Sequence, residues 1–415
     1  MNFQIINAVW GEKYINTFLQ LSLPTQFSSG NLKDLTSKPN YIIYTDKAGQ
    51  TQITKSPIYK TLEKHSNIIF RIIKIDKGRC PFETLLECHS DSIKEANKIG
   101  APVVLLSPDC VLSMNVFLYL EASINKGKRL ITICSARMSL EKYKQIVQEK
   151  EGISFTEKVQ WSSQDLAIKT ISNLHHRGKC LLMDGKKISC HPSQMYWRLD
   201  KNNLLAKSYH LHPLLIWPEV TNVYPLLSAD GKNFLERICP NKNHWEVIKD
   251  CSEVSLFEIS SDEQFTSDLK VHVNSFWFRM WVNENTSDAH HHFINHDIIL
   301  GDSIPKPEWE KKISDANKFL KRLLKVNYSQ KLYHSKLMNK LSQHYYSSLF
   351  PKMNKDFFKW HFMLVIYVLT GKKKLTWKKF KHHFFYLFKY KNFPINSLRI
   401  NTNNSKNRER KLNAK

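Results

Sequence analysis

The chain has 415 residues, 42% of them hydrophobic, and a formal net charge of +25, which provides for a full hydrophobic core in about two to three domains and excludes a wholly disordered chain. The charge is unevenly placed: residues 301–415 hold 27 Lys and Arg against 6 Asp and Glu, while the first 300 residues carry a net charge of only +4. That split excludes a uniformly basic nucleic-acid binder and describes a near-neutral body with a cationic appendage.

From the N-terminus to about residue 150, short apolar runs alternate with helical patterns, as βαβ units of a mostly parallel sheet do. Strands are expected at Phe3–Val9, Tyr41–Thr45, Ile68–Ile75, Val103–Ser107 and Leu130–Cys134. Helices are expected near Gly11–Leu23, Ser56–His65, Phe82–Ile99, Met114–Asn125 and Leu140–Glu149. In the third of these, Leu85, Leu86, Ile93 and Ala96 form one apolar stripe that should face the sheet. The fold class predicted is α/β, a Rossmann-like sheet with helices on both faces.

The next 150 residues open with a helical pattern near Gln164–Leu174 and then turn β-like. Met195–Leu199 and Leu204–Tyr209, separated by Asp200-Lys-Asn-Asn203, read as a hairpin with a polar turn. At its exit His210 and His212 stand two apart on extended chain, where side chains point the same way. Glu246–Asp250 and Val254–Ile259 read as strands, the latter ending in the acidic turn Ser261-Asp262-Glu263. Among the histidines of Ala289–Asp297, only His292 and His296 share a helical face, and a solvated or lightly packed face is expected there.

From about Pro305 the pattern is helical, basic and aromatic, at Trp309–Leu324, Leu332–Leu349, Asp356–Leu369 and most clearly Thr376–Phe393. The tail 401–415 is polar and expected to be disordered. The apolar run His361–Thr370 has about ten residues where a spanning helix needs roughly 20. Eight cysteines without a C-x-x-C pair suit reduced thiols in a cytosol. The N-terminus reads as a first strand instead of a secretory signal. A cytoplasmic chain is expected, either peripheral at the inner face of the membrane through residues 301–400, whose lysines and Trp/Phe stripe suit an anionic surface, or with these helices packed on the body and their lysines merely solvated. The rival reading of the same charge, a nucleic-acid- or membrane-binding protein with a catalytically inactive body, meets the near-neutral first 300 residues, which argue against a large nucleic-acid footprint.

No G-x-G-x-x-G follows the first strand and no P-loop motif occurs, so a nucleotide would be held differently. The run Ala101–Val111 stops at Pro108 and delivers one carboxylate, Asp109, at a strand tip, where open α/β sheets keep their ligands. Taken alone, capping of the next helix by Asp109 is the commoner outcome for such a residue. Asp109, His210, His212 and the acidic turns holding Asp230 and Asp262-Glu263 have the chemistry of one site. Carboxylate and imidazole together suit a divalent cation, Mg²⁺ or Mn²⁺, that neutralises a diphosphate.

The passages Asn7–Tyr14, Val103–Asp109, His191–Trp197 and Ser208–Leu214 resemble a group of bacterial glycosyltransferases of the nucleotide-sugar, GT-A-like kind, over about residues 1–300. The resemblance implies a nucleotide-sugar co-substrate and a glycan or lipid-linked acceptor. It implies a nucleotide-binding half over 1–150, an acceptor half over 151–300, and an appendage over 301–400. Asp109 then stands for the second acid of a strand-end Asp-x-Asp, with His210 or His212 as the later metal ligand, and Ser107 stands where the first acid belongs. Trp10 and Tyr14 would lie near the nucleotide base, and Asp230, Asp262 and Glu263 are the candidates for the acceptor-side base. Tyr196, Trp197 and Arg198 would make an acceptor platform or pack across the hairpin.

Overall fold

Gln4–Ala8 (β1), Asn40–Thr45 (β2) and Val103–Leu106 (β4) are runs with almost every residue buried, which is what strands covered on both faces require. The computed structural model describes residues 3–324 apart from 77, 79, 152–158, 184, 226–227, 265–269, 274 and 303–304. The helices expected beyond Leu324 and the tail 401–415 lie outside the described residues.

In chain order the first half holds β1, α1 (Glu12–Thr17), β2, α2 (Lys47–Lys55), α3 (Pro57–His65), β3 (Asn67–Ile72), α4 (Pro81–Ile99), β4, β5 (Cys110–Leu112), α5 (Val116–Asn125), β6 (Leu130–Ile133), β7 (Arg137–Ser139) and α6 (Leu140–Glu151). Then follow α7 (Ser163–Ser172), α8 (His176–Leu181), β8 (Lys187–Ser189), β9 (Gln194–Arg198), β10 (Leu204–Ser208), β11 (His212–Ile216), α9 (Leu235–Ile238), β12 (Trp245–Val247), β13 (Leu256–Ser260), β14 (Lys270–His272), α10 (Ser275–Asn285), α11 (Asp288–Ile294), β15 (Ile298–Leu300) and α12 (Pro307–Leu324).

Seven strands form the main sheet in the order β12-β6-β11-β4-β1-β2-β3, all parallel except β11. This is a mixed, mostly parallel α/β sheet. The apolar stripe of α4 (Cys88, Ile93, Ala96) covers one face with Ile6, Ile42, Val103 and Leu105. Residues of α1, α2, α3 and α5 cover the other with Ile5, Ile43, Val104 and Leu106. Alternation along each strand thus sends neighbouring residues to opposite cores. α4 starts with proline and ends on Gly100 at φ 65°, the left-handed conformation that stops a helix cleanly.

The chain order reverses between β1 and β4: β2 and β3 lie on one side of β1, and β4 with the later strands on the other. Beyond the carboxyl ends of β4 and β6 the chain turns at once into a second, three-stranded sheet in the order β5-β13-β7. The hairpin β9/β10 forms as expected and gains β15 at its edge.

Three local expectations change. The helix after β1 does not run evenly to Leu23: the backbone widens into a π-type turn at Phe18–Ser22 and tightens to 3₁₀ over Leu23–Phe27, where Pro24 cannot donate to the ladder. α2 was not expected, because Lys47–Lys55 holds Gly49 and two threonines of low helix propensity. It forms because Asp46 caps it, accepting from the Gly49 amide at 2.7 Å, and because Ile53 is buried beneath it. Finally, the packed unit continues to Leu324. Trp309, on the helix assigned from sequence to the basic region, is buried with Leu199 and Leu205, and Lys306 pairs with Asp200 at 3.0 Å.

Candidate active site

The turn Ser107-Pro108-Asp109 joins β4 directly to β5 and is held by the Cys110 amide donating to the Ser107 carbonyl (3.1 Å) and the Ile259 amide donating to the Asp109 carbonyl (2.9 Å). No helix begins here; α5 starts later, after Asn115. Helix capping by Asp109 is therefore corrected, and its carboxylate faces a different partner. Cross-strand register places Arg137 of β7 opposite Glu258 of β13, and Glu258 opposite Cys110 of β5. Arg137 Nη1 donates to Asp109 Oδ2 at 3.2 Å, Nη2 pairs with Glu258, and Nη1 also donates to Ser260 Oγ. The Arg137 and Asp109 side chains are 19% and 17% exposed, so the pair is mostly enclosed and keeps a small exposed surface. Sequence reading missed Arg137 and Glu258, since neither lies in a motif and only sheet register brings them to Asp109.

β11, the one antiparallel strand, starts at this same edge, because His212 pairs with Ile133 at the end of β6. His212 Nε2 lies 2.8 Å from the Leu105 carbonyl. A carbonyl only accepts, so this nitrogen carries the proton and Nδ1 keeps its lone pair. Burial lowers the His212 pKa, opposed by the Leu105 carbonyl and by the charges of Asp230 and Asp109. His210, its pKa lowered by burial and opposed by Asp230, lies against His290 with tilted rings whose centroids are 4.4 Å apart. Its Nδ1 is buried without a hydrogen-bond partner.

His290 corrects the expectation of a solvated histidine tetrad. It is fully buried, accepts at Nδ1 from the Ser287 amide in a capping box, and donates from Nε2 to the Asp230 carbonyl at 2.9 Å. Burial, then the neighbouring His210, pushes its pKa down to about 4. His89 on α4 is likewise pushed down to about 4 by burial and by His212, against Asp230. The Asp230 charge is thus felt by four imidazoles from three separated segments, and all four are held toward the neutral form. His292 and His296 share a face as expected, Nε2 to Nε2 at 3.3 Å, with His292 edge-on to Trp245.

The remaining candidates lie on another part of the rim. Asp262 accepts from Ser139 Oγ at 3.1 Å, and its amide donates to Glu141. Glu263 is exposed on the same turn. The next residue, Gln264, donates to the Tyr14 hydroxyl at 2.8 Å and ties the turn to α1. Behind the turn His175 is buried, accepting at Nδ1 from the Arg177 amide and donating from Nε2 to the Ser261 carbonyl. Trp10, at the exit of β1, is half-buried against the core on the α4 face. Tyr196 is fully buried and Trp197 packs edge-on against Phe319, so the acceptor platform is corrected to hairpin packing.

No protein-family model matches the chain, and no curated protein does. Among solved structures it is similar to S. aureus TarS, at 13% identity over 83% of this chain and 47% of that one, TM-score 0.32. It is also similar to S. aureus TarS 1-349, at 12% identity over 82% and 79%, TM-score 0.33. Mouse xyloside xylosyltransferase 1, apo form, matches at 10% identity over 38% and 61%, TM-score 0.23. The chain resembles GT-A glycosyltransferases in structure. That resemblance is of low identity, and the chain spans about half the length of the first TarS structure. TM-scores this low carry no weight for function, which has to rest on the edge itself.

The divalent metal implied by the resemblance does not fit the residues present. Ser107 replaces one acid, Asp109 is paired with Arg137, and among the described residues no three His, Cys, Asp or Glu side chains converge closely enough to hold a metal ion.

Proposed function

We propose that the chain is a glycosyltransferase that moves a sugar from a nucleotide-sugar donor to a glycan or lipid-linked acceptor. One observation carries this reading: at the carboxyl edge of the sheet, where the chain order reverses, His212 of β11 is within electrostatic reach of both Asp109, on the turn after β4, and Asp230. Open α/β sheets bind ligands in the crevice at such a reversal. The donor's nucleotide would lie over the ends of β1 and β4, beside Trp10 and Tyr14, with its diphosphate toward the Asp109–Arg137 row. Asp230 is the favoured acceptor-side base, because it sits amid the edge imidazoles whereas Asp262 is tied to Ser139 and Glu141. A base must come within about 3 Å of the proton it removes, and His212 Nδ1, with its proton fixed on the other nitrogen, would accept from the acceptor hydroxyl and position it.

Thermal-shift screening of the full chain against nucleotides and nucleotide sugars tests this. A stabilising shift from one nucleoside diphosphate and its sugar conjugates is the result expected. If none shifts, while DNA or RNA binds with a steep salt dependence, the body is catalytically idle and the basic region determines function.

A further inference from the structure

We propose that this edge holds its donor diphosphate without a divalent metal, with the Arg137 guanidinium as the resident cation. The inference rests on the nucleotide-sugar reading above and deepens it. A metal-assisted diphosphate site brings acids together around a +2 ion. Here the three-stranded sheet instead fixes a permanent +1 charge against the strand-tip acid, through the register Arg137–Glu258–Cys110. Ser107 removes the companion acid at the source, and among the described residues no set of three ligands remains to recruit a metal. A guanidinium stays charged at any working pH and offers planar paired donors that match phosphate oxygens, and basic side chains serve as clamps on developing phosphate charge as metals do.

The two carboxylates on Arg137 differ in tenure. Glu258 lies within the strand opposite it, whereas Asp109 sits on the turn, reaching Nη1 at 3.2 Å. A phosphate oxygen arriving at the tip of β4 competes with Asp109 for that nitrogen, while Glu258 and Ser260 keep the guanidinium in place. Asp109 thereby holds Arg137 at the edge until the donor arrives.

The two kinds of site respond oppositely to the same substitution. In a metal site Asp109→Asn removes a ligand and abolishes diphosphate binding; in this one it removes a competitor. Isothermal titration of the full chain with UDP, GDP, CDP and dTDP, in EDTA and in MnCl₂, provides the test. The expected result is one nucleoside diphosphate bound with the same Kd in both buffers, at least as tightly by Asp109→Asn, and about tenfold or more weakly by Arg137→Gln. Binding that requires manganese, or that vanishes in Asp109→Asn, overturns the inference and leaves the transferase reading standing. The absence of binding by any of the four in either buffer overturns both. Should Arg137→Gln fail to fold, the buffer comparison and Asp109→Asn still decide.

Discussion

Asp109 is the residue on which the sequence and the structure meet. The sequence places it at a strand tip; the structure adds that its charge is answered by Arg137. For a partly exposed pair the stabilisation is about 1 kcal/mol at most. Asp109→Asn should therefore move the melting temperature by only a few degrees while lowering turnover about tenfold or more, because the loss falls on the transition state and not on donor binding, which Glu258 and Ser260 maintain by keeping Arg137 in place. A melting curve and a turnover assay of the same sample check this, and unchanged turnover removes Asp109 from the mechanism. The imidazoles make a separate prediction in pH. Unfolded, a histidine takes its proton near pH 6.5, whereas His290 in the fold resists protonation down to about 4. Between those values the unfolded chain binds the extra proton, so this stability is complete above about pH 6.5 and is lost as pH falls toward 4. His89 acts in the same direction. Melting temperature should fall between pH 7 and 5, and the decline should be shallower in His290→Gln; parallel pH profiles would contradict it.

At the level of elements, the site depends on a small loop against α5. Asn31 Nδ2 donates to the Ser113 carbonyl at 2.9 Å, its Oδ1 accepts from the Phe117 amide at 3.1 Å, and the Gly30 carbonyl accepts from the Leu118 amide at 3.1 Å. This fastening anchors the exit of β5, the strand whose entry is the turn that carries Asp109. Gly30 has φ 72°, and a Cβ there would come within 2.6 Å of the Asn115 Cα. Gly30→Ala should destabilise by about 1–3 kcal/mol from backbone conformation alone, with the overlap adding to it; denaturant unfolding of the two proteins measures it. The main strands were legible in the sequence because residues such as Val103–Leu106 are apolar without interruption and end at a proline. Of the second sheet only β13 was legible, as the run Val254–Ile259. β5 and β7 are three residues long, too short for periodicity, and only the pairing of the three strands brings Arg137 and Glu258 to Asp109. Likewise the His-x-His pair and the histidine run holding His290 were visible as motifs, but nothing local in α4 marks His89, and only the fold brings α4 and α11 to the pair.

For the whole molecule, a near-neutral body continues into a chain segment with most of the excess charge. Among the described residues no helix is long and apolar enough to cross a membrane. We propose attachment to an anionic surface through the basic aromatic segments, where each lysine contributes roughly 1 kcal/mol near the headgroups. The full chain should sediment with phosphatidylserine-containing vesicles at low salt and be released as salt rises; equal sedimentation with neutral vesicles would contradict this. A lipid-linked acceptor would then be met at the same surface. The central claim is that the sheet edge transfers sugar, with Asp230 as the base amid the imidazoles. Its most direct test is release of nucleoside diphosphate from a panel of nucleotide sugars by the purified full chain and by Asp230→Asn. The account predicts release from one donor by the parent chain and about a hundredfold less by the variant, the loss typical of a missing general base. Equal release by both proteins, or none from any donor by a folded parent chain, would contradict it.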